Sequence, residues 1–367
     1  MNPIETLYSA TENPMREAWK KFLFLDPSLQ FLRRNTTKTA VRHGDRSFPL
    51  NSFRFTLFPD ESNEGVNERF QQAANRGIQA INQLCREYLK PEDWDLFRIP
   101  ELLPPFDLSD AVHTAFKERE ESFTGRSDPD PQKTLHAYNI MRALELGYRV
   151  GMIDACPYVL SSVRSFDEVK KRLAGLLGFQ DKKPVELNGL MFEWDTQAGS
   201  SVYSYDDYPF HARLKYLDES GSDKPKYSSI LMKMFLQLEY PEEITDYIGA
   251  EFIVKDDDAR DNLIGYFRKE TRPLGIFERF RDATRKSLGE ASSHQYGVKK
   301  FVLRVPVKHS EKYERVPVEV QILTQWDHQA RMDTEASHYE YKRRQFLRVF
   351  PILFPRQIYE PLVREHS

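Results

Sequence analysis

Apolar residues recur at helical spacing over 66–89. Val66, Phe70, Ala73, Ala74, Ile81, Leu84, Cys85 and Tyr88 form one stripe, and Pro91 stops the run. Cys85 on that stripe reads as a buried small hydrophobe. TGRSDPDPQ (124–132), with two Asp-Pro pairs, reads as a loop. The segment QKTLHAYNIMRALELG then predicts a helix that ends at Gly147. Ser165 stands three residues before Glu168, a capping box that opens SFDEVKKRLAGLLG with Val169, Leu173, Leu176 and Leu177 on its apolar face. From about residue 200 the period changes. PFHARLKYL, EFIV, KKFVLRVPV and RVPVEVQILT read as short strands alternating with helices. The expectation is an α+β chain: a mainly helical N-terminal region over 1–180, whose role the pattern does not give, and a mixed-sheet domain over 181–367.

Composition narrows the classes. In 367 residues there are 53 Lys+Arg against 56 Asp+Glu, a net charge of −3, which excludes a generally basic nucleic-acid coat protein. With 25 Phe and 18 Tyr the chain has ample large side chains for a core, which excludes a wholly disordered chain. The only cysteines, Cys85 and Cys156, exclude a disulfide scaffold and a Cys-rich zinc module. The first residues carry neither a basic n-region nor an apolar h-region, and no apolar run approaches membrane-spanning length. A soluble, cytoplasmic protein with no membrane partner is expected; secretion as an effector without a cleaved signal leaves no mark of this kind. His43, His113 and His136 are scattered singly, and no His-Asp dipeptide occurs, so a metal-dependent phosphohydrolase of the His-Asp type is unsupported.

Three pieces converge on phosphate chemistry. In KPKYSSILMKMFLQLEY (224–240), Leu231, Met234, Phe235 and Leu238 make an apolar stripe, and Lys226, Ser229 and Lys233 share another face on the first turns. Free N–H groups and the helix dipole favour anions there. An ordinary solvated lysine face has the same spacing. Thirteen residues on, Asp246 opens ITDYIGAEFIV (244–254), a short buried strand. A carboxylate beside a phosphate site is a natural Mg²⁺ ligand, and an exposed acid at a strand end is the plain alternative. In ERVPVEVQILT (314–324), Val316, Val318, Val320 and Ile322 take one face, while Glu319 and Gln321 take the other. Either that second face is open to water or the carboxylate is paired or metal-bound. Between the second and third pieces, Arg268 to Arg304 holds ten Lys/Arg and four Asp/Glu, a stretch that would draw a polyanion or else simply stay solvated.

In order, these pieces resemble the synthetase domain of the RelA/SpoT family, the (p)ppGpp synthetases, over roughly residues 205–345. VEVQILTQWDH (318–328) resembles the family's E-V-Q-I-R-T strand followed by a helix with a histidine four residues on. His338, Tyr341 and Lys342 fall where the family has H-W-x-Y-K, DYIGAEFIV resembles D-x-x-G-x-R, and ERFRD (278–282) resembles G-R-F-K-D. The resemblance implies a nucleotidyltransferase-like mixed sheet. It also implies Mg²⁺-dependent transfer of the β,γ-pyrophosphate of ATP to the 3′-hydroxyl of GDP or GTP.

Carried over by position, Lys226, Ser229 and Lys233 would contact the ATP phosphates, with Arg279 and Arg281 completing the cradle. Arg213 and Lys215 compete with Lys224 and Lys226 for the family's R-x-K motif. Asp246 would hold Mg²⁺; Glu319 would share the metal or act as base toward the attacking hydroxyl, with Gln321 orienting it. Tyr296 would stack on the acceptor base, or Lys299 would take that position in another register. His328 and His338 would be structural. The chain departs from the family at Glu251, an arginine there, at Lys300, a histidine there, and at Leu323, an arginine there; its loop after ERFRD is also longer. Lys299 and Lys300 suit extra phosphates, as on the 3′ end of a tRNA, which some small relatives of the family modify as toxins. The competing expectations are thus an alarmone-type synthetase, a transferase acting on tRNA, and a catalytically degenerate nucleotide-binding module. The N-terminal region would serve a regulatory, neutralising or targeting role.

Overall fold

The computed structural model describes residues 57–58, 61–114, 130–156, 226–237, 248–271, 298–309, 312–333 and 338–356, a few single positions beside them, and the main chain of strands at 185–187, 190–195, 201–205, 208–214 and 277–283. The helix expected over 165–178 and most of the loop expected over 124–132 lie outside the described residues. The described chain is a mixed α and β protein that divides into two compact units. One comprises residues 1–155, 227–239 and 345–367, the other 156–226 and 240–344. The units interleave in sequence, where the periodicity alone had suggested one break at 180/181.

The first unit is helical. Helix α1 (Asn63–Tyr88) starts where the Ser62 hydroxyl accepts from Gly65 N–H at 3.2 Å. Its expected stripe is buried, from Val66 and Phe70 through Ile81 to Cys85. Burial pushes the Cys85 thiol up to about 12. Helix α2 (Pro131–Ala155) does not stop at Gly147. A Cβ on Gly147 would lie 2.7 Å from Phe70 Cζ, and one on Gly77 would lie 2.9 Å from Leu146 Cβ. These glycines let α1 and α2 approach closely, so Gly147 is a packing residue and not a helix terminator. Helix α3 (Tyr227–Gln237) buries Ile230, Leu231, Met232, Met234 and Phe235 in the same unit. This reproduces the expected stripe; Leu238 lies outside the described residues.

Polar side chains along α1 clip the extended segment that follows it. Asn75 donates to Leu102 O at 3.0 Å and accepts from Leu102 N–H at 2.8 Å. Asn82 does the same with Ile99, at 2.8 and 3.0 Å. Phe97 then packs against Phe350, Phe354 and Tyr359, with ring centroids 4.9–5.3 Å apart.

The second unit is built on a sheet of order β1-β2-β3-β4-β5-β8-β7-β6. The strands are β1 (Val185–Leu187), β2 (Leu190–Asp195), β3 (Ser201–Tyr205), β4 (Tyr208–Leu214), β5 (Ile248–Val254), β6 (Phe277–Ala283), β7 (Val298–His309) and β8 (Lys312–Thr324). Its middle is mixed: β5 runs parallel to β8, and β8 runs antiparallel to β7. All seven residues of β5 are buried. Helix α4 (Asp257–Thr271) covers one face, where the Phe267 ring lies 5.4 Å from Phe252 and 5.0 Å from Phe301. Helix α5 (Gln325–Asp333) follows β8 directly. The Thr324 hydroxyl caps it by accepting from Asp327 N–H at 3.2 Å, and Arg260 pairs with the Asp327 carboxylate at 3.3 Å. Helix α6 (His338–Leu353) begins in this unit and from Gln345 onward belongs to the helical one. Among the described residues no helix is long and apolar enough to cross a membrane.

Candidate functional site

Alternation along β8 sends Val316, Val318, Val320 and Ile322 into the core, all fully buried. Glu319 and Gln321 therefore take the opposite face. That face is not open to water: Gln321 is buried and the Glu319 side chain is only 16% exposed. The Gln321 amide donates to Glu319 Oε1, which fixes the carboxylate.

Strand pairing builds two polar rows around this residue pair. One runs Arg213, Gly249, Glu319, Val302 and Arg279 across β4, β5, β8, β7 and β6; the next runs His211, Glu251, Gln321, Lys300 and Arg281. Register alone brings these positions together from five strands. Gly249 puts no side chain beside Glu319. Lys300 Nζ lies 3.8 Å from Glu319 Oε2. Glu251 is also buried, at the position where the resemblance has an arginine.

The two adjacent lysines part company here. Lys299 points to the α4 side, where its ammonium pairs with Asp261 at 2.7 Å. Lys300 alone of the two shares the face of Glu319, as alternation on β7 requires. The sequence had offered both to acceptor phosphates. Asp246 is buried and stands two residues before β5, the parallel neighbour of β8.

Among the described residues no three His, Cys, Asp or Glu side chains come together as a metal cage. The donors offered to Mg²⁺ are the carboxylates of Asp246 and Glu319. Hard carboxylate oxygens are the donor type that ion prefers. The ammonium of Lys300 beside one of them does not help, since it competes for the same charge.

The remaining expected residues are distributed as follows. Lys226 is half-buried immediately before α3. Ser229 is buried and Lys233 half-buried on α3, within the helical unit. With Ser228 buried as well, the first turn of α3 is not a solvated lysine face. His328 is half-buried on α5, and His338 opens α6. His113 and His136 are exposed, as scattered surface residues would be. Lys215, Lys224, Tyr296 and His43 lie outside the described residues.

One polar cluster escaped the sequence reading. Asp154 at the end of α2 accepts from Tyr227 OH at 2.7 Å and from Arg76 at 2.7 Å, and Arg76 also donates to Tyr227 OH at 3.1 Å. Burial raises the Asp154 carboxyl above its ordinary value and outweighs the hydrogen bonds from Tyr227 and Arg76, which lower it. The three residues come from α1, α2 and α3, and no local spacing links them. No protein-family model and no curated protein matches the chain.

Proposed function

We propose that this chain is an ATP-dependent pyrophosphotransferase that moves the β,γ-pyrophosphate of ATP to the 3′-hydroxyl of a guanine nucleotide. The observation that carries the reading is Glu319. Its carboxylate is fixed by Gln321 and lies 3.8 Å from the Lys300 ammonium on a largely buried sheet face, a charged group in the middle of an otherwise apolar strand. The order of the motifs around it, from DYIGAEFIV to VEVQILT, adds the resemblance to a nucleotidyltransferase-like sheet.

Mg²⁺ held by Asp246 and Glu319 would offset charge on the transferring phosphoryl oxygens. Arg279 and Arg281, at register positions next to Val302 and Lys300, form the phosphate cradle of the sheet unit. Glu319 takes the proton of the acceptor 3′-hydroxyl, and Gln321 holds it in line to do so. The 3′-oxygen bonds to the β-phosphorus, the bond from that phosphorus to the α,β-bridging oxygen breaks, and AMP departs. Much of the rate comes from lining up the hydroxyl, which suits side chains anchored on paired strands.

The test is incubation of the full chain with γ-labelled ATP and Mg²⁺, separately with GDP, GTP, ADP and tRNA. Label on GDP or GTP with release of AMP is the expected result. Label on tRNA alone moves the acceptor to RNA, and absence of AMP with every acceptor leaves a nucleotide-binding module without catalysis. Asp246→Asn and Glu319→Gln should each abolish transfer while leaving the circular dichroism spectrum unchanged. Full activity in either variant would remove these carboxylates from the site.

A further inference from the structure

We infer that Arg260 and Asp327 are positioning residues for the proposed site: their buried pair fixes the register of β5 against β8, and with it the place of Glu319 relative to Asp246. The inference rests on the proposed function and lies wholly within the sheet unit.

Strands β5 and β8 are parallel neighbours, with Gly249 beside Glu319 and Val254 beside Thr324. No tight turn joins them, since α4, β6 and β7 lie between them in the chain. Burial of faces does not fix their register alone. All seven residues of β5 are buried, and so are Val320, Gln321, Ile322 and Leu323 in succession on β8. A slip of two residues keeps every side chain on its own face, yet it moves Glu319 by about 7 Å along β5. A contact tied to a fixed place on both strands selects between such registers.

Arg260 and Asp327 supply that contact. Strand β5 feeds α4, and β8 feeds α5. Arg260, in the first turn of α4, pairs with Asp257 at 2.5 Å and with Asp327 of α5 at 3.3 Å. Asp327 also accepts from the hydroxyl of Thr324, the last residue of β8, at 2.8 Å. Arg260, Asp327 and Thr324 are all buried. A buried ion pair is a poor source of stability, and selecting one register is the best-attested use of such groups. Among the described residues Arg260 Nε is buried without a hydrogen-bond partner, so its desolvation is not fully offset. A slip of one or two residues would carry Asp327 about 3–7 Å past Arg260 and break the pair. Glu319 lies on the same strand and would move with it.

The test compares two variants of the full chain with wild type and with Glu319→Gln. Arg260→Lys keeps the charge but loses the fork that spans two carboxylates. Asp327→Asn keeps the shape and loses the charge. Two properties are measured at a temperature where circular dichroism shows both variants folded: transfer from γ-labelled ATP to GDP, and Mn²⁺ binding followed by electron paramagnetic resonance. Each variant should lose about 10–100-fold in kcat, keep the KM for ATP within about twofold, and bind Mn²⁺ about tenfold more weakly. A pair that only stabilises the fold would lower the melting temperature and leave kcat and Mn²⁺ affinity of the folded protein unchanged. That result, with Glu319→Gln still weakening both, overturns the positioning role while the proposed site stands. If Glu319→Gln changes neither transfer nor Mn²⁺ binding, the proposed site fails, and the role of Arg260 and Asp327 fails with it.

Discussion

The helical unit and the sheet unit both bury charge, but they use it differently. On α2, Arg142 is fully buried; it donates to Glu145, to Tyr138 and, at 2.7 Å, to Ile352 O. Glu145 also accepts from Arg149 at 3.1 and 3.2 Å, and the Arg149 guanidinium lies 4.5 Å from the Phe235 ring centroid. The Tyr138 hydroxyl, pushed up to about 12 by burial, donates to Leu353 O at 2.8 Å. Each charge there is answered by a partner of the same unit, which makes the cluster a structural pin. In the sheet unit the Glu319 carboxylate accepts from Gln321, lies 3.8 Å from the Lys300 ammonium, and keeps some exposure to solvent. The first arrangement is closed on itself, while the second, under the proposed function, would receive a cation and phosphates. Burial alone therefore does not mark a site; what marks it is charge held in place with reach left over.

The sharpest way to break this comparison is Glu319→Gln. Transfer should fall by about 10²–10⁴-fold, whereas the melting temperature should move little, because the lost ion pair is long and partly exposed. A large stability loss with activity retained would make Glu319 a pin like those on α2. Next in size comes Glu145→Ala, which strands two buried guanidinium groups and should cost about 3–5 kcal/mol in denaturant unfolding. A small cost there would show that the α2 charges are not mutually compensated.

Gly147→Ala should cost about 1–3 kcal/mol, because the new methyl meets the buried Phe70 ring and α1 and α2 must part. A neutral result would return Gly147 to an incidental role. The smallest effect concerns pH. The folded Asp154 carboxyl lies above its unfolded value, so its favourable contribution is complete below the unfolded value, about pH 4, and is lost as pH rises through the folded value. Asp154→Asn should flatten that part of the stability profile; denaturation midpoints measured upward from about pH 3.5 decide it. An unchanged slope would mean that Asp154 ionises in the folded protein as readily as in the unfolded chain.

Legibility in the sequence followed the range of the forces involved. The α1 stripe was readable because every residue that buries it lies within one helix, and the same holds for Val316 to Ile322 on β8. Glu319 and Gln321 stood out because a polar pair interrupts a core-grade strand. The motif order pointed to Asp246 as well, and its burial is what the structure added. Gly147 was misread because a helix-ending glycine and a helix-contact glycine look alike until the partner, Phe70, is known. Lys299 and Lys300 were inseparable by composition; only pairing with Ile322 and Gln321 sends them to opposite faces.

By itself the sequence determined the apolar stripes of α1 and α3, the alternation along β8, and which carboxylates are out of place in an apolar run. These properties depend on neighbours within a turn or a few strand positions. The tertiary structure decided which strands lie side by side, that α3 belongs with the N-terminal helices, and that Lys300 comes to rest beside Glu319. Pairing across a sheet joins residues far apart in the chain, and its register is chosen by the burial of whole faces at once, so no local window contains it.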